Sequence, residues 1–240
     1  MLQNQRYFIV GSGRTAQHFA HYFRSLGLPF DQWQRSQPPA LFKKYLSHCS
    51  HVLLLISDSA IEAFFQEHLL KFQGTVVHFS GALEVGGIES AHPLMTFTKD
   101  LYNTEIYQKI PFVLTSQRPF SEVLPGLPNK AYRIRPEQKS YYHALCVMSG
   151  NFTTLVWQKM AQGLHSLDLP EGIESVYREQ IFRNLAQDTL GALTGPLARK
   201  DLATVIRNDQ ALKDDPYQKI YRAFLSVHFP EALTTLEGAG

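Results

Sequence analysis

The chain has 240 residues, 44% apolar and 18% charged, enough to build one large domain or two modest ones and excluding a disordered chain, a collagen-like repeat or a disulfide-stapled miniprotein. Its 23 basic and 21 acidic side chains leave a formal charge of +2, so no overall field recruits nucleic acid or an anionic membrane. Cys49 and Cys146 form no CxxC element and the longest strongly apolar run, Val52 to Ile56, is too short to span a bilayer, so we expect a cytoplasmic protein without a signal peptide.

Five short apolar runs read as strands: Tyr7 to Val10, Phe30 to Trp33, Val52 to Ile56, Thr75 to Phe79 and Phe112 to Leu114. Between the first two, Ala16, Phe19, Ala20, Phe23 and Leu26 recur at helical spacing, and Gly27 is placed to end the helix. Strands alternating with helices imply a mainly parallel sheet covered on both faces. After about Pro136 helical periodicity takes over. Leu145, Met148, Phe152, Leu155 and Val156 mark one face of a long helix, and Ile173, Val176, Tyr177, Ile181 and Leu185 mark another. A last helix is expected with Asp215 as N-cap and Pro216 at its first position. The predicted architecture is α/β: a sheet domain over 1–136, followed by an all-α domain over 137–240.

Gly11-Ser12-Gly13-Arg14-Thr15-Ala16 is a GxGxxA string placed after the first strand and at the start of the first helix. In that context the first glycine allows a tight turn, the second lets backbone approach a diphosphate, and Ala16 lets helix and sheet pack closely. Free amides and the helix dipole then favour the phosphates of a dinucleotide. NAD-preferring sites carry an acidic residue about 20 positions on. Here Arg35 and Ser36 occupy that region, offering a guanidinium and a hydroxyl to a 2′-phosphate, so NADP is the expected cofactor. Asp31 would restore an NAD reading if the second strand ended earlier. Ser57, after the third strand, is a candidate cofactor contact or an N-cap.

His78-Phe79-Ser80-Gly81-Ala82-Leu83 and Ala91-His92-Pro93-Leu94-Met95, taken with Tyr142-His143-Ala144, Ser149-Gly150-Asn151-Phe152 and Thr194-Gly195-Pro196, resemble a family of Rossmann-like oxidoreductases with a helical C-terminal domain of unknown function. That family is similar to pyrroline-5-carboxylate reductase and prephenate dehydrogenase. The resemblance implies an NADP-binding domain, a helical domain that closes a substrate cleft between the two and mediates homodimerisation, and no established substrate. Lys200 and Gly150 depart from the family's pattern. Lys139 precedes Asn151 by 12 residues, which does not match the KxxN spacing of β-hydroxyacid dehydrogenases and argues against a lysine acid.

Hydride transfer to a small molecule needs a proton donor or acceptor beside the substrate's heteroatom. His92 is the first candidate, since histidine titrates near neutrality and His-Pro here resembles an element of prephenate dehydrogenases; the alternative is a structural histidine. Ser80 is a candidate for binding substrate or orienting the nicotinamide. Asn151, among apolar neighbours, is expected to be a buried amide that reaches the cleft or ties two helices together. His143 is a weaker candidate. His18-x-x-His21 and His48-Cys49-Ser50-His51 lack third and fourth ligands, so no metal is expected. The class competing with an enzyme is a noncatalytic NADP(H)-binding sensor.

Overall fold

A computed structural model describes residues 5–238. Its sheet has seven strands: β1 (Tyr7–Val10), β2 (Phe30–Trp33), β3 (His51–Leu54), β4 (Thr75–His78), β5 (Glu89–Pro93), β6 (Phe112–Leu114) and β7 (Ala131–Arg133), in the order β2-β1-β3-β4-β5-β6-β7. All neighbours pair in parallel except β5 and β6, which run antiparallel with Ala91 opposite Leu114 and His92 opposite Val113. The five expected strands are present, with β3 and β4 ending one or two residues early. Two strands escaped the apolar-run criterion. β5 reads ESAHP and β7 reads AYR, too polar or too short to announce themselves.

β1 is buried along its whole length, as expected of a strand with parallel neighbours on both sides and layers on both faces. Its side chains alternate between two cores. Tyr7 and Ile9 join Phe19, Phe23, Leu53 and Val77 on one face. Phe8 and Val10 join Phe42, Val52, Leu54 and Ile61 on the other. Helix α1 (Arg14–Ser25) presents Ala16, Phe19, Ala20 and Phe23 to the first of these, the spacing read from sequence.

The other helices are α2 (Pro39–Leu46), α3 (Asp58–Phe64), α4 (Thr104–Lys109), α5 (Phe120–Val123), α6 (Lys139–Cys146), α7 (Thr153–Ser166), α8 (Ser175–Gln187), α9 (Gly195–Ala198), α10 (Leu202–Ala211), α11 (Gln218–His228) and α12 (Pro230–Gly238). α3 runs on into a π-helical turn, Phe65–Leu69, and α6 joins α7 through another, Val147–Phe152. That second turn interrupts the single long helix expected from periodicity. α11 starts three residues after Asp215, whose carboxylate accepts from the Tyr217 amide at 2.9 Å. Asp215 therefore caps the preceding turn rather than the helix.

The chain divides into two compact units, Met1–Trp157 and Gln158–Gly240. The division lies beyond residue 136, where the hydrophobic rhythm changes, and leaves α6, which is tied to the sheet through Lys139 and Tyr142, in the first unit. In the second unit Val205, Leu225, Phe229 and Ala232 form a small core. Buried Asp209 there accepts two bonds from Arg222, at 2.8 and 2.7 Å.

Candidate functional site

The chain turns from β1 to β2 on one side and then to β3 on the other, so the carboxyl ends of β1 and β3 flank the crevice where ligands of such sheets collect. A groove of about 710 Å³ lies there, within the roughly 300–1,000 Å³ of small-molecule sites. It is lined by Gly11, Ser12, Gly13, Arg14 and Thr15, by Trp33, Gln34 and Arg35, by Ser57 and Asp58, by Phe64 and His68, and by Phe79 and Ser80.

The glycine loop fits a diphosphate. Gly11 has φ +130°, and a β-carbon there would stand 2.1 Å from the Leu55 carbonyl oxygen, so only glycine allows this close crossing of β1 and β3. A β-carbon on Gly13 would meet nothing within 4 Å; the space above it is open to an incoming group. The first turn of α1 carries no acidic side chain, leaving its amides and dipole to an anion. Ala16 is fully buried in the core, so it sets the approach of helix to sheet and does not line the groove.

Arg35 is exposed at the groove wall, and no ion pair engages it among the described residues. Ser36 sits in the same turn outside the lining. Asp31 is committed elsewhere: Arg6 Nε donates to it at 2.7 Å and His48 Nε2 lies 3.2 Å away. The hydrogen bond from Arg6, aided by His48, holds its carboxyl below the usual range. Ser57 occupies the N-cap position of α3 without a side-chain capping bond.

At the far end of the groove Ser80 Oγ donates to Asp58 at 2.5 Å and accepts from the Leu83 and Ala82 amides at 3.0 and 3.3 Å. With its one proton committed, Ser80 orients Asp58 and the turn after β4. A β-carbon on neighbouring Gly81 would fall 2.2 Å from Cδ2 of His143, so the glycine makes room for the imidazole. The His143 and His92 ring centres are 5.9 Å apart. Nδ1 of His92, on β5, lies 2.8 Å from the Tyr142 hydroxyl. Burial, then the neighbouring His143 and Lys139, pull His92 down to about 4 against the opposing pull of Asp58. Burial, followed by the proximity of Cys146, holds the Tyr142 hydroxyl above the ordinary tyrosine range.

The profile of a domain of unknown function, DUF2520, matches residues 115–226, just under half of the chain. No curated protein matches it. Among solved structures, a Bacteroides fragilis protein named as a candidate NADP oxidoreductase is 20% identical with a TM-score of 0.74, the match covering 95% of this chain and 99% of that one. A Thermotoga maritima protein named without an activity is 19% identical at TM-score 0.65, with the same coverages. The Plasmodium falciparum pyrroline carboxylate reductase, crystallised with NADP bound, is 10% identical at TM-score 0.58, covering 95% and 98%. These likenesses show the fold: a Rossmann-like sheet domain followed by helices.

Asn151 lies exposed in the π turn after α6, not buried among apolar neighbours as expected, because those neighbours, Met148, Phe152 and Leu155, are themselves exposed. Two residues carry more of the site than sequence spacing indicated. Lys139 is 2% exposed, donates to the Leu83 carbonyl and Ser90 Oγ, and pairs with Glu84 at 2.7 Å. His78, on β4, is fully buried and neither ring nitrogen has a partner; burial, then Lys139, push it down to about 3. A signal was present: Lys139, Tyr142, His143 and Cys146 follow the i, i+3, i+4, i+7 rhythm of one helix face.

Proposed function

We propose that the chain is an NADP-dependent oxidoreductase acting on a small molecule bound at the end of the groove, beside Ser80, Gly81 and His92. The supporting observation is the division of charge around β2: Arg35 lines the groove while Asp31 is tied to Arg6 and His48. In this reading the amides of Ser12 to Thr15 hold the diphosphate, Arg35 with Ser36 receives the 2′-phosphate, and Ser57, whose hydroxyl makes no capping bond, lines the groove beside the cofactor. The likeness to a reductase crystallised with NADP supports the same cofactor. A bound nicotinamide supplies or accepts hydride.

The chain's own groups handle the proton. His92, titrating at about 4, is neutral at pH 7. If the Tyr142 hydroxyl donates to Nδ1, the ring proton stays on Nε2, a hydrogen-bond donor to the substrate's reacting oxygen or nitrogen. A neutral imidazole polarises that atom without the driving force of an imidazolium. This suits cyclic imines, which water protonates beforehand so that His92 need supply no proton, better than unactivated ketones; Nε2 then donates to the amine nitrogen once hydride arrival gives it a lone pair. Ser80 keeps Asp58 beside this end of the groove, and Asn151 is a surface amide available to substrate.

The helical segments support a homodimer. Neither α7 nor α8 has a buried residue, while Met148, Phe152, Ile173 and Val176 are exposed. A second copy supplies the matching apolar face by two-fold symmetry.

Titration of the protein with NADPH and NADH tests the reading, followed by a screen of imines, 2-oxo acids and cyclic enones for NADPH oxidation. We expect tighter binding of NADPH and turnover of an imine. Binding without turnover across the screen would make the protein a sensor, and no uptake of either nucleotide would remove the cofactor assignment.

A further inference from the structure

Lys139 and Glu84 do not line the groove and take no part in the proton handling proposed above. The Lys139 ammonium has three N–H donors, and three acceptors surround it: the Leu83 carbonyl, Ser90 Oγ and Glu84 Oε1. Glu84 is held in turn by Thr115, whose Oγ1 donates to the carboxylate at 2.9 Å. Leu83 and Glu84 lie in the turn after β4, Ser90 is on β5, Thr115 follows β6, and Lys139 is the first residue of α6. One ammonium thus fastens the start of α6 to the turn after β4 and to β5, and through Glu84 to the segment after β6.

With every N–H engaged, Lys139 has no donor left for a substrate. Its position explains another feature. Tyr142 and His143 lie three and four residues along α6, on the face that Lys139 anchors, and both meet His92.

We propose that Lys139 is a positioning residue: with Glu84 it docks α6 onto the sheet edge so that Tyr142 and His143 are presented to His92. The docking stands on geometry, while its purpose rests on the oxidoreductase reading. It carries an electrostatic consequence as well. His143, Lys139 and Asp58 act on His92 and the Tyr142 hydroxyl meets its Nδ1, while Glu84 pairs with the Lys139 ammonium and buried His78 feels the same cation. The ammonium opposes protonation of His92 and the Glu84 carboxylate partly offsets it.

The test is the His92 titration, followed by NMR of the imidazole protons in the full chain, in Lys139→Met and in Glu84→Gln. Removing the cation should raise the His92 midpoint by about one pH unit. Removing the carboxylate leaves the ammonium uncompensated and should lower the midpoint. A residue that merely filled space would not give opposite signs, so a midpoint that stays put, or moves the same way in both variants, overturns the proposal. If Lys139→Met does not fold, Glu84→Gln decides alone: a downward shift supports the proposal and no shift overturns it. NADPH affinity is measured on the same samples. Failure of the wild-type protein to bind NADPH defeats the cofactor reading only, whereas retained binding with an unmoved His92 defeats the positioning role only.

Discussion

Arg35 and Asp31 lie four residues apart and face opposite fates. One lines the groove and the other is held by Arg6 and His48. Replacing Arg35 by alanine removes a charge-assisted bond to a 2′-phosphate, so NADPH affinity should fall by about ten- to a hundredfold while NADH affinity changes little. Calorimetry with both nucleotides checks this, and equal losses would contradict it. Gly11→Ala has a different expected outcome. Its methyl would overlap the Leu55 carbonyl at a φ of +130°, so the variant should lose stability and nucleotide binding together, seen as a lower urea midpoint and a flat titration. The glycine string and Arg35 were legible because their meaning is local: a turn, a helix start and a position after a strand. The engagement of Asp31 was not, because Arg6 and His48 are brought to it by tertiary structure.

At the scale of elements, α1 and the five apolar strands followed from periodicity, since each buries a face large enough to mark the sequence. β5 did not. Its polar residues Ser90 and His92 share one side of a short strand and serve the Lys139 and Tyr142 contacts instead of the core. β4 and β5 together hold two histidines, His78 and His92, at about 3 and about 4. Both lie below the ordinary value of about 6.5, so the unfolded chain binds more protons between those limits and stability rises with pH there. The contribution is complete above about pH 6.5 and is lost as the pH falls toward the folded values. His78→Phe should flatten the acid limb of a plot of urea midpoint against pH. At neutral pH the variant should be as stable as the parent or gain up to about 1–3 kcal/mol, because an unpartnered buried imidazole is replaced by an apolar ring. An acid limb as steep as the parent's would show that His78 does not titrate as a buried neutral group.

The whole molecule poses a problem of unsatisfied apolar surface. The sheet unit buries two cores, whereas the described part of the second unit has a small cluster around Val205 and Leu225. Ile173, Val176, Leu190, Phe224 and Val227 remain exposed, Val176 at 77%. An isolated helix of the length of α8 is marginal in water unless an apolar face is covered. The apolar rhythm of these helices was therefore legible, but what covers it was not, since a pattern that faces a second chain looks the same as one that faces a core. If a second copy covers it, sedimentation equilibrium should give twice the chain mass, and Val176→Glu should shift the population toward the single chain by placing a charge in the interface. The groove residues Gly11 to Thr15 and Arg35 belong to the other unit, so the dissociated variant should still bind NADPH. A parent that sediments as one chain at micromolar concentration would instead leave α8 to be covered by something other than its own twin.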